Sequence, residues 1–328
     1  MRHGGDLANA EAEYGRPAKG WLDLSTGVNP YPYPLAAFSE TSLTRLPQKA
    51  DVEELLVTAR QAYGWAQDVP VVAGPGSQSM IQLLPYLRYR KKVAVIGPTY
   101  AEHAYVWARA GHEVREVRAA RDVGEADVVV VVNPNNPTGR LSSPKGLARL
   151  ASELAPREGL LVIDEAFADV APDIAYGGRL NGSGVVVLRS FGKFFGLPGI
   201  RLGFAAGDEE MISEIAAELG PWPVSGPAIE AGRAALADMA WISSMRLRLS
   251  VEALKLDEAL TDAGFAIIGG TDLFRTARHD RASEIHAALA RQGVWTRAFE
   301  EHADQIRVGL PGGEEAFARL TAALREAV

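Results

Sequence analysis

The sequence predicts an α/β protein: a large domain with a mostly parallel sheet covered by helices, plus a smaller α+β domain. Three observations carry this. Compact Val/Ile/Leu-rich runs at 92–96, 127–132, 160–163 and 185–188 alternate with helical stretches such as 102–110 and 145–154. Continuous apolar strands between helices belong to a parallel sheet buried on both faces. Glycines and polar residues gather where those runs end, the place where such sheets bind ligands. After Pro221-Trp222-Pro223 the pattern changes to a long helical region followed by short strands.

Taken in order, residues 1–45 are rich in Gly, Pro and Tyr with little periodicity and read as an irregular arm. Asp51, followed by Glu53 and Glu54, opens a helix that runs to Tyr63 and Gly64. A strand at 69–73 enters the turn Gly74-Pro75-Gly76-Ser77, and a helix continues to Leu87. The strand ends then present Pro98-Thr99-Tyr100, the segment 133–139, Asp164-Glu165 and the segment 190–193, all expected at one crevice together with Gly76-Ser77. Helical sequence over 227–263 and strands near Phe265, Phe274, Val294 and Ile306 complete the chain. The expected organisation is an arm at 1–45 that packs with the small domain, a large domain at 46–222 and a small domain at 223–328.

At 328 residues, 47% hydrophobic and 23% charged, the chain has the composition of an ordinary globular protein. A balance of 34 basic against 41 acidic residues, with no basic tract, argues against nucleic-acid binding. Zero cysteines exclude disulfides, iron–sulfur clusters and thiolate chemistry, and six scattered histidines offer no metal-ligand spacing. The N-terminus lacks the apolar segment of a signal peptide, and the run 128–132 is too short for a membrane span. The expectation is a soluble, cytoplasmic protein without a metal.

Lys193 lies in Ser190-Phe191-Gly192-Lys193-Phe194-Phe195-Gly196-Leu197-Pro198-Gly199-Ile200-Arg201, a stretch otherwise apolar or glycine apart from Ser190 and Arg201. An ammonium in poor solvent loses proton affinity, and its nitrogen becomes a nucleophile for a carbonyl, the condition for a Schiff base. The plainer alternative is a lysine stem packed on the core with its head in water. The flanking residues favour the chemistry.

Three ordered motifs carry a resemblance: Asn133-Pro134-Asn135-Asn136-Pro137-Thr138-Gly139, Asp164-Glu165-Ala166-Phe167, and the segment 190–204 around the lysine. Together they resemble the fold-type I pyridoxal-phosphate (PLP) enzymes of the aspartate aminotransferase superfamily. The resemblance implies that Lys193 holds pyridoxal 5'-phosphate and then shuttles protons, and that Asp164 pairs with the pyridine nitrogen. Asn136 would bond the phenolic oxygen, and Tyr100 would stack on the ring. Gly76, Ser77, Ser190 and Arg201 would receive the phosphate. Each has a bland alternative: a helix cap for Asp164, a turn residue for Asn136, rim packing for Tyr100. Two departures stand out. Relatives often carry tyrosine at Phe167, and histidinol-phosphate aminotransferases carry Arg-Tyr-Pro where this chain has Arg45-Leu46-Pro47.

Arg307, in Gln305-Ile306-Arg307-Val308-Gly309, matches the family's carboxylate-binding arginine, against the alternative of a surface strand arginine. His3-Gly4-Gly5-Asp6, the segment 22–30, Arg45-Leu46-Pro47-Gln48 and Phe191-Gly192-Lys193-Phe194-Phe195-Gly196 resemble CobC-type L-threonine-O-3-phosphate decarboxylases. That implies release of CO2 to give (R)-1-amino-2-propanol O-2-phosphate for cobalamin biosynthesis. His3, Asn29 and Arg297 are the candidates for the substrate phosphate. Gly27 stands where some of these enzymes carry asparagine. A histidinol-phosphate-type aminotransferase and a non-catalytic PLP-fold binding protein are the alternatives. A homodimer is expected, because the family uses both chains and the arm needs a surface.

Overall fold

The computed structural model describes residues 4–180 and 184–328, so His3 lies outside the described residues. In chain order the strands are β1 (Leu22–Asp23), β2 (Val71–Gly74), β3 (Lys92–Ile96), β4 (Glu113–Val117), β5 (Val128–Val132), β6 (Leu160–Asp164) and β7 (Val185–Ser190). They continue with β8 (Gly203–Gly207), β9 (Ala266–Thr271), β10 (Phe274–Arg278), β11 (Val294–Trp295), β12 (Arg297–Phe299) and β13 (His302–Gly309). By internal contacts the chain divides into two compact units, one of residues 33–136 and 140–242, the other of 1–32, 137–139 and 243–328.

The larger unit is built on a seven-stranded sheet in the order β2-β8-β7-β6-β5-β3-β4. β3 pairs in parallel with β4 and β5, β5 with β6, and β6 with β7. The α/β class and the mostly parallel sheet are thus borne out. Five consecutive valines form β5, and all are buried, as required of a strand covered on both faces. Val95, Val130, Val162 and Leu188 share a core with Met80, Val106, Trp107 and Ile215 from the covering helices.

Local chemistry sets the helices. The helix Lys49–Tyr63 starts at a reciprocal Gln48–Asp51 capping box and stops at Gly64 with φ 67°. In the helix Pro144–Leu154, Ser143 accepts from the Gly146 amide, Pro144 takes the first turn, and Leu147, Leu150 and Leu154 make the buried face.

Several features depart from the sequence expectation, beginning with the segment 1–45, expected to be irregular, which holds the helices Leu7–Tyr14 and Glu40–Thr44 as well as β1. β4 and β8 are strands that the sequence did not announce. β8, Gly-Phe-Ala-Ala-Gly, has no β-branched residue and is held by antiparallel pairing with β2 and β7 on either side. The helical region 227–263 is two helices, Gly226–Ala237 and Met239–Asp262. Asp238 breaks it, because its carboxylate accepts from the Trp241 amide at 2.9 Å and caps the second helix.

The second unit contains a four-stranded antiparallel sheet in the order β12-β13-β10-β9 and the parallel pair β1–β11. The helix Leu7–Tyr14 contributes Ala10 to a small cluster with Ala290 and Trp295, joined by Leu7, Tyr14 and Trp21. The segment 137–139 belongs here: Thr276 Oγ1 donates to the Pro137 carbonyl at 2.5 Å, and any Cβ on Gly139 would collide with the Gly270 backbone.

Candidate active site

In the larger unit, Val132, Asp164 and Leu188 stand level across β5, β6 and β7, so the residues that follow leave the sheet at one edge. Asp164 is 3% exposed. Its Oδ2 accepts from His103 Nε2 at 2.9 Å and its Oδ1 from the Ala166 amide at 3.0 Å. A buried carboxylate needs such partners. His103 is equally buried and sits on the helix Glu102–Arg109 after β3. Its ring meets that of Tyr100 edge-on at 6.0 Å, and the Tyr100 hydroxyl donates to Gln78 Oε1 at 3.2 Å. A line of contacts therefore joins the first turn of the helix Ser77–Leu83, which follows β2, to the end of β6.

His103 and Gln78 escaped the sequence reading. The available signal was nearness in sequence, since Gln78 follows Ser77 and His103 stands in the first turn of the helix that begins two residues after Tyr100.

Lys193 lies on the short helix Phe191–Phe194 directly after β7 and is half-buried. Its Nζ stands 5.8 Å from the centre of the Phe167 ring, so the lysine and the segment after Asp164 are neighbours. Phe191 and Phe195 stack at 4.6 Å, and Trp241 stacks on Phe195 at 5.7 Å, so aromatic rings pack around the lysine's helix. In the loop after β5, Asn133 bonds the backbone of Ser142 and Ile174, while Asn135 bonds Thr99 and the Pro98 carbonyl. Asn136 follows these two anchors and is half-buried.

Because β8 is antiparallel, its first residue, not its last, lies at the functional edge, where Gly203 pairs with Gly74 and Ser190. A Cβ on Gly203 would come within 2.3 Å of the Ser77 amide nitrogen. Gly76 has φ +82°, and a Cβ there would meet the Arg201 guanidinium at 2.6 Å. Gly76, Ser77, Ser190 and Arg201 are thus brought together, with Arg201 in the left-handed region at φ 55°. The arrangement is a cradle of amide, hydroxyl and guanidinium donors, suited to a phosphate.

Behind this edge lies a buried ion cluster. Arg189 donates to Glu165 at 3.0 Å and to Asp169 at 2.8 Å, and its guanidinium lies 4.2 Å from the Tyr63 ring centre. Burial disfavours its charge, but Asp169 and Glu165 outweigh that and hold the guanidinium above its ordinary range. The signal in the sequence was a lone arginine ending the apolar run of β7.

In the second unit, Arg307 is 8% exposed. It donates to the Ser25 carbonyl at 2.5 Å and lies 5.2 Å from the Phe274 ring centre. Arg297 on β12 is its direct partner across the ladder. Like charges placed directly opposite across a ladder repel. Asn29 is buried, its Oδ1 accepting from the Tyr31 amide at 2.8 Å, and Gly27 is buried two residues earlier. Phe167 is buried, whereas Leu46 is 57% exposed. Among the described residues no group of His, Asp or Glu could hold a metal ion, and no helix is long and apolar enough to cross a membrane.

Residues 55–324 match the family described as aminotransferase class I and II, and the chain belongs to that family. Its fold is that of the type I PLP enzymes. It superimposes on the histidinol-phosphate aminotransferase from Sinorhizobium meliloti in complex with pyridoxal-5'-phosphate with a TM-score of 0.82 at 19% identity, covering 100% of this chain and 95% of that one. Among curated relatives, the threonine-phosphate decarboxylase of Pseudomonas aeruginosa is 43% identical over 99% of this chain and 97% of its own length. The threonine-phosphate decarboxylase of a Sinorhizobium species is 41% identical over 98% and 97%.

Proposed function

We propose that this chain is a pyridoxal 5'-phosphate-dependent decarboxylase that converts L-threonine O-3-phosphate to (R)-1-amino-2-propanol O-2-phosphate and CO2 in cobalamin biosynthesis. The observation that carries this reading is the 43% identity, over 99% of the chain, to a threonine-phosphate decarboxylase.

The side chains fit the cofactor. The cradle of Gly76, Ser77, Ser190 and Arg201 offers donors for its phosphate dianion, and a Cβ on Gly76 would push the Arg201 guanidinium out of place. Asp164, buried and held by His103, supplies an anion for the pyridine nitrogen. Lys193 supplies the amine for the aldehyde, Asn136 a donor for the phenolic oxygen, and Tyr100 a ring to stack. Bound there, pyridoxal phosphate supplies an electron sink for the charge left at Cα when CO2 departs. Lys193 then delivers a proton to the substrate's Cα.

Arg307 grips the substrate carboxylate, and the grip selects which Cα bond is broken by fixing its orientation. Arg297, Asn29, Gly27 and His3 are assigned to the phosphate end, and the facing arginines suit a substrate with two anionic groups. Replacing Arg307 by lysine keeps the charge but loses the bidentate fork. It should lower kcat/KM for L-threonine O-3-phosphate by about 10–100-fold, mainly through KM, as read from steady-state kinetics. Gly203→Ala places a methyl against the Ser77 amide, and pyridoxal phosphate binding should weaken about tenfold or more by fluorescence titration.

Incubation with L-threonine O-3-phosphate, pyridoxal phosphate and no keto acid is the deciding experiment. CO2 and a phosphorylated amino alcohol are the expected products. Amino transfer to 2-oxoglutarate at comparable kcat/KM would favour the aminotransferase reading, which draws on the similarity to a histidinol-phosphate aminotransferase fold. The absence of any cofactor band would leave a binding protein without catalysis. The enzyme acts as a homodimer in the cytoplasm on this reading; the exposed Leu43 and Leu46 support a covered surface there. Light scattering should give twice the 35.1 kDa chain mass, and a fully active monomer would refute it.

A further inference from the structure

Arg189 and Glu165 have no part in the chemistry above, yet each adjoins a residue that does. Arg189 precedes Ser190 and lies four residues before Lys193, while Glu165 follows Asp164. Strand pleating sends Arg189 to the sheet face opposite Ser190. There its two amino groups bridge Glu165 Oε2 and Asp169 Oδ1, and its plane covers the Tyr63 ring at the end of the helix Lys49–Tyr63. Glu165 is engaged further: its second oxygen accepts from the Tyr176 amide at 2.6 Å, and its own amide donates to the Leu188 carbonyl at 2.9 Å. The ends of β6 and β7 are therefore tied twice, once through backbone and once through this ion cluster.

Stability alone does not explain the cluster, because apolar residues of similar volume often replace buried ion pairs without loss. Geometry does. A planar fork is suited to bridging two carboxylates at fixed spacing, which a lysine, a single point of charge, cannot do.

We propose that Arg189 is a positioning residue, which through Glu165 and Asp169 sets the spacing between Asp164 on one strand end and Ser190 and Lys193 on the other. The inference deepens the function proposed above and rests on its assignment of Lys193 and Asp164 to the cofactor.

The test uses the full chain loaded with pyridoxal phosphate. Arg189→Lys keeps the charge but loses the bridge. Asp169→Asn removes one arm and leaves the Glu165 pair, so it serves if Arg189→Lys is not recovered folded. Leu150→Ala, a cavity on the buried face of a helix in the same unit, is the control for lost stability. For both cluster variants kcat on L-threonine O-3-phosphate should fall about tenfold or more per mole of bound cofactor, with KM little changed. The pH midpoint of the lysine-bound cofactor's visible absorption should also move by about half a unit or more. Leu150→Ala should change neither. Wild-type kcat and midpoint in both cluster variants would overturn the proposal, as would an equal change in Leu150→Ala. The midpoint needs no substrate: a wild-type enzyme that shows the band but leaves phosphothreonine intact would refute the decarboxylase reading alone. A wild-type chain without the band would refute both.

Discussion

Replacing Lys193 by alanine should abolish CO2 release from L-threonine O-3-phosphate, with a fall in kcat of at least about 10⁴-fold, because one side chain serves both as the tether of the cofactor and as the proton donor to Cα. The fold should survive the change. Lys193 is half-buried on a helix whose packing comes from Phe191, Phe194 and Phe195, all at most 1% exposed. Circular dichroism should therefore match the parent protein while activity is lost. Borohydride trapping and peptide mapping of the wild type should place the pyridoxyl adduct on Lys193. An adduct on another lysine, or an alanine variant that keeps more than a small fraction of the parent rate, would remove the basis of the proposed function.

Asp164→Ala carries the second-largest expected effect. The carboxylate is assigned to the pyridine nitrogen, and a preorganised charge in a site closed to water contributes on the order of 10²–10³ in kcat. The variant also leaves His103 buried without its 2.9 Å partner, at a cost of about 1–3 kcal/mol of stability. Asp164→Asn separates the two contributions. It keeps an acceptor for His103 and preserves most of the stability, but it lacks the charge and should lose nearly as much activity. An asparagine variant with parent-like kcat would show that the charge of Asp164 is not what the reaction uses.

Much of the larger unit was legible because its strands are self-announcing. Five valines in β5 and the apolar run of β6 can only be buried from both sides, and helices must lie between them. The residues at the ends of these runs followed directly, and similarity to two threonine-phosphate decarboxylases agrees with the function read from the arm and the lysine's neighbours. β8 was not legible. Its sequence of small residues has no strand signature of its own, and it pairs only because β2 and β7 leave an antiparallel slot between them. The partners of His103 and Arg189 were not legible for a related reason: they lie 61 and 24 residues away, separations that periodicity cannot reveal.

By itself, then, the amino-acid order determined what local chemistry can dictate: strand and helix alternation, the single amine in an apolar stretch, and the carboxylate ending a buried run. Tertiary structure alone decided which partners those groups meet. Reversal of β8 brings Arg201 and Gly203 beside Gly76 and Ser77, and burial obliges Asp164 and Glu165 to find a histidine and an arginine. Pairing across a sheet depends on strand direction and register, properties of the assembled sheet and not of any one segment.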